Sequence, residues 1–262
     1  MEGRKQLRQL MAALLLVTAL ITVGAVGTYG QAGTASIRIL HVTIVSGAEV
    51  SRVITIAGAK DLVSVDSVSL HDLCGGAFSS LGDYDVVVFG INDGYEDHDS
   101  LGAGLVAMLD HYVINGGGIV WTHDSLEWGE DHGPEIEAAA GVDYEQDHRR
   151  SGGDEVEFPG WTHPILRQPY NVRRMDKVQG THTTGGRVTT ATVIARFVGD
   201  RPSSYNFYLT VNEYGAGRVV VTQIGHSFWG YWDGRQTPTT IWPERLEAQL
   251  FVNCLFWAAG RT

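Results

Sequence analysis

Residues 115–125 read NGGGIVWTHDS. Gly116 stands where a helix C-cap belongs, since glycine adopts the left-handed conformation that closes a helix. Before it, Leu101, Leu105, Met108, Leu109 and Tyr112 recur at helical spacing, with Ser100 placed as an N-cap. After it, Ile119 to Thr122 is a short apolar run, and His123, Asp124 and Ser125 follow at once. Helix, tight turn, buried strand and polar strand end are the parts of one crossover unit of a parallel sheet.

The same grammar extends in both directions. Asp85 to Gly90 (DVVVFG), Ile37 to Val45 (IRILHVTIV) and Gly217 to Ile224 (GRVVVTQI) are runs rich in β-branched residues and read as buried strands. Val63 to Leu70 alternates as a strand would, and Ala77 to Leu81 reads as a short helical piece. Val50, Val53, Ile54 and Ala57 mark one helix, and Leu246, Leu250, Cys254 and Trp257 mark a closing helix over Glu244 to Ala259. Strands alternating with helices predict an α/β fold, a flavodoxin-like three-layer sandwich with a mostly parallel central sheet. The stretch Gly129 to Arg187 is polar and glycine-rich. It reads as an elaboration at the crevice edge, with a small helix Pro134 to Ala140 stopped by Gly141. Val188 to Val198 and Phe207 to Glu213 read as strands, with antiparallel pairing one option.

Composition narrows the function classes. Among 262 residues there are 30 acidic and 19 basic, a net charge of −11, with 44% hydrophobic content. That excludes a disordered polyelectrolyte, and an acidic surface argues against nucleic acid as a partner. Arg4, Lys5 and Arg8 precede the apolar run Leu10 to Val26, about 17 residues, with small residues to Ala35. Residues 1–35 therefore read as a targeting segment, cleaved or retained as a membrane anchor, with a buried helix as the third option. The domain proper is then 36–262, placed outside the cytoplasm in a secreted, periplasmic or cell-surface setting. Removing residues 1–30 takes the net charge from −11 to −13. In such a compartment Cys74 and Cys254 are expected as buried thiols or a single bridge, because exposed thiols oxidise there.

Ligands of open parallel sheets bind beyond the carboxyl ends of the strands. Those ends are Ser46-Gly47, Asn92-Asp93-Gly94, Thr122-His123-Asp124-Ser125 and Gly225-His226-Ser227. Three carry acid–base or metal-ligating groups. The expected site therefore has His123, Asp124 and His226 as catalytic groups, with Asp124 orienting His123 as a general base. Asp93, Trp121, Ser125, Ser227 and Trp229 are expected to bind substrate, the two indoles as walls. No resident metal or cofactor is required, although His123, Asp124 and His226 also form a divalent-ion donor set. Polar residues at strand ends serve equally as caps and turns. The aromatic loop Phe228, Trp229, Tyr231, Trp232 suits the C–H faces of a sugar, or a core or interface. Asp97-His98-Asp99 and Asp131-His132 lack ligand spacing and read as solvated loops, and Arg149-Arg150 and Arg173-Arg174 as surface charge.

In order along the chain, DYDVVVFG (83–90), NGGGIVWTHDS (115–125), THPIL (162–166), YGAGRVVVTQIGHS (214–227) and FWAAG (256–260) together resemble the ThuA-like (trehalose-utilisation) group of the class I glutamine amidotransferase-like fold. Gly217, Arg218, Val219, Gly225 and His226 match the group's late Gly-x-Gly-Arg-Val to Gly-His segment. Amidotransferases carry a nucleophilic cysteine on the turn after the strand equivalent to Ile119–Thr122. Here that turn is His123-Asp124-Ser125, so thiolate attack on glutamine has no support. Nor does a Gly-x-Ser-x-Gly elbow surround Ser125.

The resemblance implies carbohydrate handling without fixing a reaction. Two expectations follow: a hydrolase or isomerase acting on a sugar or sugar-derived carbonyl compound, or a catalytically silent module binding a glycan or partner protein at the cell surface. A small sugar or glycan is the expected partner in both.

Overall fold

The structure is a computed structural model that describes residues 36–43, 48–78, 80–90, 101–122, 125–126, 134–144, 150–151, 155–178, 182–183, 186–198, 207–224, 231–232, 235–236 and 244–262. The chain divides after Ala35, and everything described belongs to the unit Ser36–Thr262. In order its elements are β1 (Ile37–Thr43), α1 (Ala48–Ala57), β2 (Val63–Ser69), α2 (Leu70–Cys74), β3 (Val86–Phe89), α3 (Gly102–Ile114), β4 (Gly118–Thr122), α4 (Pro134–Ala140), β5 (Val142–Tyr144), β6 (Arg150–Ser151), β7 (Val156–Glu157), a 3-10 turn (Pro164–Leu166), β8 (His182–Thr183), β9 (Gly186–Val188), β10 (Thr192–Phe197), β11 (Leu209–Tyr214), β12 (Gly217–Thr222), β13 (Tyr231–Trp232), β14 (Arg235–Gln236) and α5 (Arg245–Ala258).

Eight strands form one sheet in the order β2-β1-β3-β4-β12-β11-β10-β7. The first five are parallel, and the last three join antiparallel. Ranked along the chain, the parallel block is 2-1-3-4-5, the flavodoxin-like order. Valine-rich strands tolerate this central position because both of their faces are covered. Ile37, Ile39, Val86, Val88, Val120 and Val220 pack beneath α1 and α5. The alternate residues Leu40, Val42, Val87, Phe89, Ile119, Trp121, Val219 and Val221 pack beneath α2, α3 and α4. The expected three layers are therefore present.

The turn before β4 closes as its glycines require. Gly116, at φ +106°, donates its N–H to Val113, and Gly117 donates to Tyr112. These are the two bonds of a Schellman cap.

Several boundaries differ from the sequence reading. The helical piece lies at 70–74 rather than 77–81, because Ser69 accepts the N–H of Asp72 and starts a helix where the strand ends. Leu101 precedes α3 without a side-chain cap, and Ser100 lies outside the described residues. The stretch 188–198 is broken, because the N–H groups of Thr189, Thr190 and Ala191 all turn to the Gly141 carbonyl.

The described elaboration 155–178 has no core of its own. Ile165, Leu166, Val172, Met175 and Val178 share the cluster under α5. These residues pack on the face that this helix covers. Asn253 of α5 holds the elaboration by donating to the carbonyls of Ile165 and Tyr170, both at 2.7 Å, and accepting the Tyr170 N–H at 3.0 Å.

No disulfide joins the cysteines. Cys254 is buried in α5, whereas Cys74 is exposed with its Sγ 3.8 Å from the Leu101 carbonyl, so the expectation that both be buried or bridged fails at Cys74. Among the described residues no helix is long and apolar enough to cross a membrane, and residues 1–35 lie outside them.

Candidate functional site

β1 leads through α1 to β2 on one side, and the next strand, β3, lies on the other side of β1. This reversal is the topological switch point, where open α/β sheets bind ligands at the carboxyl ends. The apolar runs stop there on small or polar residues: Thr43, Gly90, Thr122 and Thr222 end four neighbouring strands. The three threonines are buried. Such a row inside a core requires internal hydrogen bonds. Thr122 Oγ1 donates to the Phe89 carbonyl at 2.9 Å, tying the end of β4 to β3. Thr222 Oγ1 accepts the Ile224 N–H at 3.2 Å, turning the chain as it leaves β12.

One turn of the pleat below, His41 is 1% exposed, with Nε2 3.2 Å from the Gly90 carbonyl. A carbonyl only accepts, so Nε2 is the nitrogen that carries the proton. Gly90 has φ +95°. A Cβ there would lie 2.5 Å from Thr122 Oγ1, 2.7 Å from the Thr122 carbonyl oxygen and 2.9 Å from Ser125 Cβ. Only glycine meets both demands, so β3 and β4 end in close contact with Ser125 folded against them. Ser125 is 1% exposed, and its Oγ has no hydrogen-bond partner among the described residues.

Beside β12 lies a second buried polar group. Gln223 donates its N–H to the Tyr208 carbonyl at 2.9 Å. The Tyr208 hydroxyl donates at 2.7 Å to Glu247 in the first turn of α5. Burial pushes the Tyr208 phenol well above its ordinary value, and the adjacent Glu247 charge pushes it further. A carboxylate is tolerated so deep because it has this donor and lies at the positive end of a helix.

Of the expected site residues, two are described. Ser125 lies at the switch-point edge. Trp121 is a core side chain, 1% exposed and stacked on Phe89 with ring centroids 4.2 Å apart and planes 20° apart. Its indole packs between sheet and helices and lines no open wall. Asp93, His123, Asp124, His226, Ser227 and Trp229 lie outside the described residues. The same is true of Phe228, while Tyr231 and Trp232 form β13. Register still fixes the roots of two loops. Thr122 and Thr222 are partners across β4 and β12; in the sequence His123 follows the first at once, and His226 stands four residues after the second. Neighbouring strands are about 4.8 Å apart.

Sequence reasoning missed His41, Tyr208 and Glu247. The signal for His41 was a lone imidazole inside an otherwise apolar strand. That for Glu247 was an acid in the first turn of an apolar helix.

Among the described residues no group of three or more His, Cys, Asp or Glu is placed to hold a metal ion, and the donor set His123, Asp124, His226 lies outside them.

No family model matches the sequence, and neither does any curated protein. Among solved structures, the chain is similar to a putative ThuA-like protein from Bacteroides uniformis at 12% identity and TM-score 0.49, over 89% of this chain and 94% of that one. It is similar to a putative GMP synthase subunit from Thermoplasma acidophilum at 12% identity and TM-score 0.41, over 86% and 95%. It is also similar to a β-galactosidase from the haloarchaeon Halorubrum lacusprofundi at 14% identity and TM-score 0.49, over 87% of this chain. The chain spans about 31% of that enzyme's length, and 30% of a second β-galactosidase, Gan42B. At these identities and TM-scores the likenesses assign no residue role. The flavodoxin-like fold rests on the strand order itself.

Proposed function

We propose that this chain is an exported ThuA-like domain that acts on a carbohydrate or sugar-derived carbonyl compound through His/Asp acid–base chemistry. The observation that carries the reading is the row of strand ends at the switch point, with Ser125 folded against Gly90. Asp93, His123, Asp124 and His226 follow these ends in the sequence. In this reading His123 is the general base, Asp124 orients it, and His226 serves as its acid counterpart. Asp93, Ser125 and Ser227 bind substrate hydroxyls. The aromatic wall falls to Trp229, since Trp121 is taken up by the core. Export rests on the basic start and the apolar run Leu10 to Val26.

A second reading draws on the cysteines. Neither stands on the turn after β4: one ends α2 and the other sits inside α5. An amidotransferase-like module without its nucleophile, holding a glycan or partner protein at the cell surface, accommodates that equally.

Turnover of a panel of disaccharides and their keto derivatives, with and without chelator, separates the readings. On the enzyme reading His123→Ala and His226→Ala each lower turnover roughly 10²-fold or more. Loss of turnover with chelator brings in a divalent ion on His123, Asp124 and His226. Glycan binding without turnover, unchanged in both variants, contradicts catalysis and supports the module.

A further inference from the structure

Within THPIL (162–166), histidine and proline together open the 3-10 turn. Pro164 stands first in the turn and has no N–H to place. The next donor, the Ile165 N–H, goes to a side chain, His163 Nδ1 at 3.3 Å. The N–H groups of Leu166, Arg167 and Gln168 then take the carbonyls of His163 and Pro164. Caps of this kind are ordinarily Ser, Thr, Asp or Asn, whose oxygens accept throughout the physiological range. An imidazole accepts at Nδ1 only while that nitrogen carries no proton. His163 therefore caps the turn as the neutral ring, with its proton on Nε2.

The surroundings favour that neutral form. The ring is half-buried, its centroid 5.5 Å from that of Trp257 in α5. The indole face would attract an imidazolium, but it already carries the Arg218 guanidinium 5.2 Å from its centroid. Arg218 is fixed there by donating to the Trp257 carbonyl at 3.1 Å. Two charges face the imidazole from the sheet, Arg218 of β12 and Glu213 of β11. Glu213 is 74% exposed and lies 3.8 Å from Arg218, so water and that partner screen it. Burial first, and Arg218 second, hold His163 below its ordinary value.

We propose that His163 is an acid-released latch, which pins the segment 164–172 on α5 while neutral and lets it lift when Nδ1 takes a proton. Protonation turns a second donor against the Ile165 N–H and leaves a fully buried residue with an unpaired donor, which is costly. Ile165 is held twice, its N–H by His163 and its carbonyl by Asn253, and only the first of these holds titrates. The lifted segment binds the proton more readily than the closed one. The closed state is therefore secure above about pH 6.5 and weakens as pH falls below it.

Amide-exchange protection of the full chain, corrected for the intrinsic rate at each pH, reads the latch. Between about pH 7.5 and about pH 5, protection across 164–172 falls about tenfold while β3 and β4 keep theirs. His163→Asn offers an amide oxygen that accepts at either pH, and its segment stays closed in acid. Nitrogen NMR of the wild-type ring shows Nε2 protonated and Nδ1 bare at the higher pH. Wild-type protection that is unchanged in acid overturns the proposal. So does an equal fall in His163→Asn, which would assign the effect to another group, and so does a proton on Nδ1 at the higher pH. If His163→Asn does not fold, the wild-type ring decides: it must titrate in step with the loss of protection, and a ring still bare at Nδ1 while the segment opens overturns the latch.

Discussion

Gly90 concentrates the constraints of the strand-end edge in one residue. Gly90→Ala places a Cβ at φ +95° within 2.9 Å of three atoms, two of them on Thr122. Strain and overlap together are expected to lower stability by about 3 kcal/mol or more, read from urea unfolding. The partner prediction concerns His41. His41→Leu strips the buried Gly90 carbonyl of its donor and is expected to cost about 2–3 kcal/mol. His41→Gln, which still offers an N–H, recovers part of that loss. If the Leu variant is as stable as the wild type, the hydrogen bond has been misjudged. At this scale the sequence was only half legible. A histidine within IRILHVT reads as part of an apolar strand, and nothing in that run shows that a glycine 49 residues later needs its proton. Trp121 invited the opposite error. Its place at a strand end beside His123 suggested a wall, but the pleat turns it to the face where Phe89 already lies.

At the level of elements, caps and clamps decide where the chain turns. Ser69 takes the Asp72 N–H at 3.0 Å and donates to its carboxylate at 2.6 Å, so Ser69→Ala is expected to loosen α2 by about 1 kcal/mol. The signal Ser-x-x-Asp was present, but the alternation of Val63 to Leu70 ran straight across it. Asn253 is the stronger case. Asn253→Leu leaves two carbonyls and one N–H of the 165–170 segment without partners, and is expected to cost about 3 kcal/mol. Hydrogen exchange locates the effect: protection falls across 164–172 while β3 and β4 keep theirs. Equal protection in both proteins would mean that packing alone holds the segment. No local pattern announces that an asparagine in a C-terminal helix fastens a loop more than 80 residues upstream. For the same reason the break at 189–191, made by the Gly141 carbonyl, was invisible in a run of strand-forming residues.

For the whole molecule, the parallel block was readable because its cause is local. Runs such as VVVF and GRVVVT sit only where both faces are covered. The three antiparallel strands at the edge were less so, since their partners are chosen by register rather than composition. The same burial makes the fold sensitive to alkali. Cys254, Tyr112 and Tyr208 are all raised above their ordinary values of 9.0 and 10.0, chiefly by desolvation. A raised group contributes its stability fully below the unfolded value and loses it as pH climbs toward the folded one. Fluorescence-detected melting is therefore expected to hold steady to about pH 9 and decline through about pH 11. A flat profile across that interval would mean these groups are reachable by water.

Everything proposed for the site requires that the loops leaving β3, β4 and β12 bring their polar residues together over the switch-point edge. A crystal structure of residues 36–262 reads this from the separation of the His123 and His226 imidazoles and their distances to Ser125 Oγ. Both rings are expected to turn toward that hydroxyl and to lie close enough to touch one small ligand, each by a hydrogen bond of about 3 Å. Imidazoles more than roughly 12 Å apart, beyond the span of such a ligand with a hydrogen bond at either end, would rule out a shared site.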